Sequence, residues 1–75
     1  MRTVRKDDEY FKEVYLGYDF SPVENVGTHV TYHKHTKTIS VNSNIFPYTS
    51  DTTNLEELEK FGKYILELVE EIKNE

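Results

Sequence analysis

Three histidines, His29, His33 and His35, carry the side chains best suited to metal chemistry in this sequence. Imidazole is the commonest nitrogen ligand, and the spacing of His33 and His35 permits chelation if both rings leave one strand face. The strand register inferred below instead places His35 in a loop and His29 about 13 Å from His33 along the strand. A zinc site needs three or four protein ligands. The sequence therefore predicts no metal site, and exposed histidines on a polar strand face.

Motifs of the common catalytic classes are missing from the sequence. It has no nucleophile elbow G-x-S-x-G, no phosphate-binding P-loop, no G-x-G-x-x-G and no H-E-x-x-H. One helix over a small sheet also offers little depth for a cleft that excludes water. We therefore expect no catalytic residues, no cofactor and no enzymatic activity.

A row of acidic residues near the C-terminus is the strongest candidate for a functional site. Glu67, Glu70 and Glu71 fall in the last turns of a predicted helix, where the helix dipole disfavours each carboxylate by roughly a few tenths of a kcal/mol. Residues that are unfavourable for the local structure, as these glutamates are at the negative end of a helix, are candidate functional sites. The sequence predicts a partner-binding surface formed by these residues and Tyr64, placed on the polar side of the helix. The alternative is a solvated face without a partner. Replacing all three glutamates with Gln is expected to leave folding intact and to weaken binding.

The polar face of the predicted sheet is the second candidate surface, and it carries Tyr15 as a partner-binding residue. Antiparallel sheets often leave one face in water, so the alternatives are a partner, a second copy or solvent. Direct binding of nucleic acid is not expected. Tyr15 is the sole aromatic residue placed there for stacking, and Lys34 and Lys37 are too few cations for strong phosphate binding.

The composition describes one small acidic domain over residues 1–75. The chain has 36% hydrophobic residues, no Cys and a net charge of −5, which argues against general affinity for nucleic acid or anionic lipid. Its N-terminus is charged where a signal peptide is apolar, and no run approaches the ~18 apolar residues of a membrane span. We expect a soluble protein of the cytoplasm, with no membrane partner.

Hydrophobic periodicity predicts the elements that position these residues. A helix over residues 54–73 starts at an N-cap of Asn54 or Thr53. Residues 28–42 predict a hairpin that pairs Val30 with Val41 and Tyr32 with Ile39 around a four-residue loop, 34–37. Period-two alternation over 13–20 predicts a third strand. For residues 7–13, a short helix is favoured over an early extension of that strand.

The predicted fold is therefore α+β, a small three-stranded antiparallel sheet with a long C-terminal helix packed on one face, in the order (α)βββα. The ten residues 44–53 would connect the hairpin to the helix across an edge of the core.

In size, acidity and order of elements, the chain resembles some phage anti-CRISPR proteins, although no sequence motif is shared. The resemblance implies a non-catalytic inhibitor that occupies a basic, nucleic-acid-binding surface of a larger protein, such as a nuclease, in the host cytoplasm. The alternative is a small self-associating regulatory or structural subunit, a homo-oligomer that uses an edge strand or the open sheet face.

Overall fold

In the computed structural model, the described residues, 2–17, 27–43 and 53–75, form one antiparallel sheet and one helix. The strands lie side by side in chain order: β1 (Arg2–Asp7), β2 (Phe11–Gly17), β3 (Gly27–His33) and β4 (Thr38–Ser43). The helix α1 (Leu55–Lys73) follows them. The predicted α+β class with a C-terminal helix is confirmed, whereas the predicted count of three strands is wrong.

The fourth strand is β1, and a turn at Asp8 explains why the short helix predicted over residues 7–13 is wrong. The carboxylate of Asp8 accepts hydrogen bonds from the backbone N–H groups of Tyr10 and Phe11, both at 2.8 Å. The N–H of Asp8 donates to the carbonyl of Phe11 at 2.9 Å. This side-chain turn competes with a helical start and reverses the chain, so that Asp7 pairs with Lys12.

The predicted hairpin is confirmed with its register. Val30 faces Val41, Tyr32 faces Ile39, and the loop between β3 and β4 spans four residues. Lys37 closes it with a φ of 57°, and its N–H donates to the carbonyl of His33 at 2.8 Å. The predicted extension of β2 to residue 20 lies outside the described residues, as do residues 44–52 of the predicted connection 44–53.

The helix begins as the sequence predicts. The side chain of Asn54, the N-cap, accepts a hydrogen bond from the N–H of Glu57 at 2.8 Å. Glu57 in turn accepts a bond from the N–H of Thr3 at 2.8 Å, while the Thr3 hydroxyl donates to the Glu57 carbonyl. This exchange fixes the first turn of α1 to β1. Among the described residues, no helix combines the length and the apolar character needed to cross a membrane.

The core lies between α1 and one face of the sheet. Val14, Tyr32 and Leu68 are its buried centre, and the partly buried side chains that pack around them are Val30, Phe61, Tyr64, Ile65 and Ile72. The helix packs mainly against β1 and β2. Ile39 and Val41 of β4 point to the same face of the sheet as Tyr32 and Val30, yet they are 57% and 72% exposed. The helix therefore covers only half of this face.

Candidate interaction surfaces

Two cations from the sheet reach the acidic end of α1. Arg5 of β1 bonds Glu67 at 3.2 Å and also donates to Glu71, while the ammonium of Lys12 in β2 lies 2.6 Å from Glu71. The cations are mostly buried, and the carboxylates are partly exposed. Hydrogen bonds from Arg5 and then Lys12 lower the pKa of Glu71 below its ordinary value. Tertiary ion pairs thus offset the unfavourable position of Glu67 and Glu71 at the helix end.

This network changes the expectation that the acidic residues can all be neutralised without a cost in stability. We expect Glu71→Gln to lower the free energy of unfolding by about 1 kcal/mol, because the partly exposed network is screened by water. Glu70→Gln removes the same charge from an exposed neighbouring position. It is expected to leave stability unchanged or slightly raised, since it removes an acid from the negative helix end. Urea unfolding of both variants checks the difference, and equal effects would contradict it.

The same ion pairs predict a dependence on pH. Because the pKa of Glu71 is lowered by folding, its stabilising effect is complete above its ordinary value of 4.5 and is lost as the pH falls through the lower, folded value. The stability difference between the wild-type chain and Glu71→Gln is therefore expected to be constant near neutral pH and to shrink in acid. Urea unfolding from pH 7 downwards measures it. A difference that grows in acid would contradict the proposed pairs.

The three predicted glutamates lie in one place. Glu67, Glu70 and Glu71 line a shallow, open groove of about 450 Å³ together with Lys63 and Leu66. We call these five residues the acidic groove. Glu70 is exposed and lies 4.0 Å from Lys73 in a pair that is largely in solvent. Its carboxylate is therefore the most accessible one in the groove.

Tyr64 does not belong to this groove. The prediction that it projects from the polar side of the helix is wrong, because it packs against the core cluster. The ammonium of Lys60 lies 5.7 Å from the centre of its ring. A tyrosine at the edge of the apolar face of a helix is long enough for its ring to pack against the core. The spacing of apolar residues alone does not show that Tyr64 does so.

Tyr15 lies on the sheet face opposite α1, as predicted, but it is only 6% exposed. Its ring stacks on His29 with the ring centres 4.4 Å apart. His29 is 7% exposed, and its Nδ1 donates to the carboxylate of Glu13 at 2.5 Å, so the prediction that His29 is exposed is wrong. Glu13 also accepts a bond from the Thr31 hydroxyl at 3.2 Å. The face that sequence reasoning treated as open thus contains a packed polar cluster.

The other two histidines lie apart from this cluster. His33 Nε2 is 3.0 Å from the Ser40 hydroxyl oxygen, and the ring of His35 lies against Tyr10 with centres 5.4 Å apart. A shallow depression of about 360 Å³ joins His33 to His29 and Glu13. Within residues 2–17, 27–43 and 53–75, no three His, Asp or Glu side chains are arranged to hold a metal ion.

Sequence reasoning missed the roles of Arg5, Lys12 and Glu13. Lys12 alternates in β2 with the buried Val14, a spacing that places both on the helix side. Glu13 is paired with Thr31 and reaches His29 diagonally across the two strands, a contact that depends on the register of β2 with β3. Comparison of the chain with protein-family models, curated proteins and solved structures finds no match.

Proposed function

We propose that the chain is a small non-catalytic binding protein that inhibits a larger cytoplasmic protein by occupying its basic, nucleic-acid-binding surface. The observation that carries this proposal is the acidic groove, in which three carboxylates lie beside an exposed leucine on the outside of α1. The overall charge of −5 favours approach to a basic partner over approach to nucleic acid.

The groove combines the two features that a long basic side chain binds, an apolar surface and a carboxylate. Lysine and arginine stems pack on apolar surface while their charged heads remain near water. Leu66, 69% exposed, offers such a surface, and Glu70 offers a carboxylate beside it. Glu67 and Glu71 are held in place by Arg5 and Lys12, so a guest cation meets carboxylates whose side chains are already ordered. Less conformational entropy is then lost on binding.

Occupation of such a surface would inhibit the partner without any reaction. Lysine and arginine side chains that bind phosphates would bind carboxylates of the groove instead, so the chain and the nucleic acid would compete. Anti-CRISPR proteins, which the chain resembles in size and acidity, act on nucleases of this kind.

The proposal is tested by capture with variants matched in charge. The tagged chain is incubated with nuclease-treated bacterial lysate, and the captured proteins are identified by mass spectrometry at low and high salt. We expect the wild-type chain to capture a basic nucleic-acid-binding protein, and Glu70→Gln to capture several-fold less of it. Glu9→Gln, which removes an equal charge from the exposed turn between β1 and β2, should capture it normally. Equal capture by both variants, or no basic protein among those captured, would contradict the proposal.

A further inference from the structure

The exposed apolar side chains of α1 form one stripe along the helix. Leu55, Leu58, Leu66 and Val69 are all exposed, and they lie along one flank of the helix that also contains Gly62. Exposed leucines occur singly on many proteins, but a continuous stripe on an otherwise charged helix marks an interaction surface. We refer to these five residues as the apolar stripe.

The spacing of the apolar stripe is symmetric about Gly62. Leu58 and Leu66 lie four residues on either side of it, and Leu55 and Val69 lie seven residues on either side. If two such helices pack antiparallel with Gly62 at the crossing point, Leu58 of each meets Leu66 of the other, and Leu55 meets Val69. A two-fold interface must be complementary to itself in this way.

Gly62 is itself better explained by such a crossing than by the isolated fold. A glycine in the middle of a helix costs about 1 kcal/mol relative to alanine. A Cβ added at Gly62 would have no neighbouring atom within 4 Å, so nothing packed against it requires the small residue. Close approach of a second helix does require one, because small residues allow helix backbones to come together.

The charges beside the stripe also suit a second copy. Glu59 and Lys63 lie on the solvent side of the stripe, and both are exposed. In the antiparallel pair, the position opposite Glu59 is two residues from Lys63 of the other copy, an offset of about 3 Å along the helix. Each interface then contains two such pairs of opposite charge, related by the two-fold axis.

From these observations we infer that the partner of the apolar stripe is a second copy of this chain, packed antiparallel along α1 with the two-fold axis at Gly62. Glu67 and Glu71, on one flank of α1, reach β1 and β2, so the opposite flank is directed towards the uncovered half of the sheet. Ile39 and Val41 are exposed there on the edge strand β4.

The pair leaves the three carboxylates of each acidic groove exposed, whereas Lys63 and Leu66 of the groove also lie in the interface. Leu66 lies at the border between the stripe and the groove, while Glu67, Glu70 and Glu71 lie beyond it, away from the second copy. Because a two-fold axis keeps equivalent outer faces on one side, the two grooves lie side by side. This inference does not rest on the proposed function. Its experiments measure self-association, whereas those of the proposed function measure binding of another protein. Failure of the inference can therefore be told apart from failure of the proposed function.

Disulfide trapping tests the position of the axis. The chain has no cysteine, so Gly62→Cys introduces a single thiol that meets its equivalent across the axis. We expect oxidation to convert most of this variant into a covalent dimer on a non-reducing gel. In Glu56→Cys, the control on the same helix, the two thiols lie about 18 Å apart along the axis and should remain uncrosslinked. Equal trapping of both variants, or trapping of neither, would overturn the inference.

Exchange of charges tests the pairing of Leu58 with Leu66. Each of Leu58→Lys and Leu66→Glu, made singly, is expected to weaken the dimer at least about tenfold. The double variant should recover most of the affinity, because the new charges meet between copies. Within one chain they are about 12 Å apart along the helix and cannot pair. Sedimentation from micromolar to millimolar concentration measures each dissociation constant. A wild-type monomer throughout, or a double variant no tighter than the singles, would overturn the inference.

Discussion

Leu68→Ala is expected to lower the free energy of unfolding by about 3 kcal/mol, a large share of the stability of a domain of this size. Leu68 is 2% exposed and lies with Val14 and Tyr32 at the centre of the core. Its truncation removes buried apolar contacts and leaves a cavity that the surrounding side chains fill only in part. Urea unfolding followed by circular dichroism in dilute solution measures the change.

Leu66→Ala makes the same chemical change two residues earlier on the same helix. Leu66 is exposed, so its truncation should change the stability of the monomer by less than about 0.5 kcal/mol. Dilute solution is needed for this control because self-association would add to the stability of the wild-type chain. Similar losses for both variants would show that α1 is rotated relative to the packing described above.

Gly27→Ala is expected to destabilise the fold by about 2 to 3 kcal/mol, because a methyl group has no space there. A Cβ at this position would lie 2.3 Å from the carbonyl oxygen of Leu16 and 2.8 Å from a ring carbon of Tyr15. Its φ of +156° also disfavours a side chain. Since strand β3 begins at Gly27, the clash falls where β3 pairs with β2 and where Tyr15 packs over the backbone.

Gly62→Ala is the matched control for this substitution. The added methyl group meets no atom of the same chain within 4 Å, and alanine favours the helix. In dilute solution its free energy of unfolding should rise by up to about 1 kcal/mol. Thermal unfolding measures the change in stability of both Gly27→Ala and Gly62→Ala relative to the wild-type chain. A harmless Gly27→Ala would contradict the close packing of Tyr15 against the start of β3.

The helix and the hairpin could be predicted because the residues that specify each of them, such as the helix cap and the alternating apolar residues, lie within the element itself. The cap at Asn54 and the pairing of Val30 with Val41 are both observed as predicted. Strand β1 was missed because its residues, Arg2 to Asp7, are mostly charged and show no apolar alternation. They form a strand through their backbone pairing with β2 and through contacts between their side chains and α1, neither of which one segment can reveal.

The candidate site was predicted in part for the same physical reason. Helical spacing placed Glu67, Glu70 and Glu71 near one another, and the groove contains all three. The spacing could not show that Arg5 and Lys12 form ion pairs with two of them, because those contacts join residues about sixty positions apart. Nor could it show that Tyr15 is buried against His29 and Gly27, which depends on the register of β2 with β3.

The central claim is that the acidic groove occupies a basic surface that otherwise binds nucleic acid. The most direct test is competition: a basic protein captured by the chain is bound to labelled duplex DNA, and the chain is titrated into the complex at two salt concentrations. We predict that the wild-type chain and Glu9→Gln displace the DNA at low salt, that Glu70→Gln needs several-fold more protein, and that high salt weakens displacement by all three. Simultaneous binding of the chain and DNA to the captured protein would contradict the account.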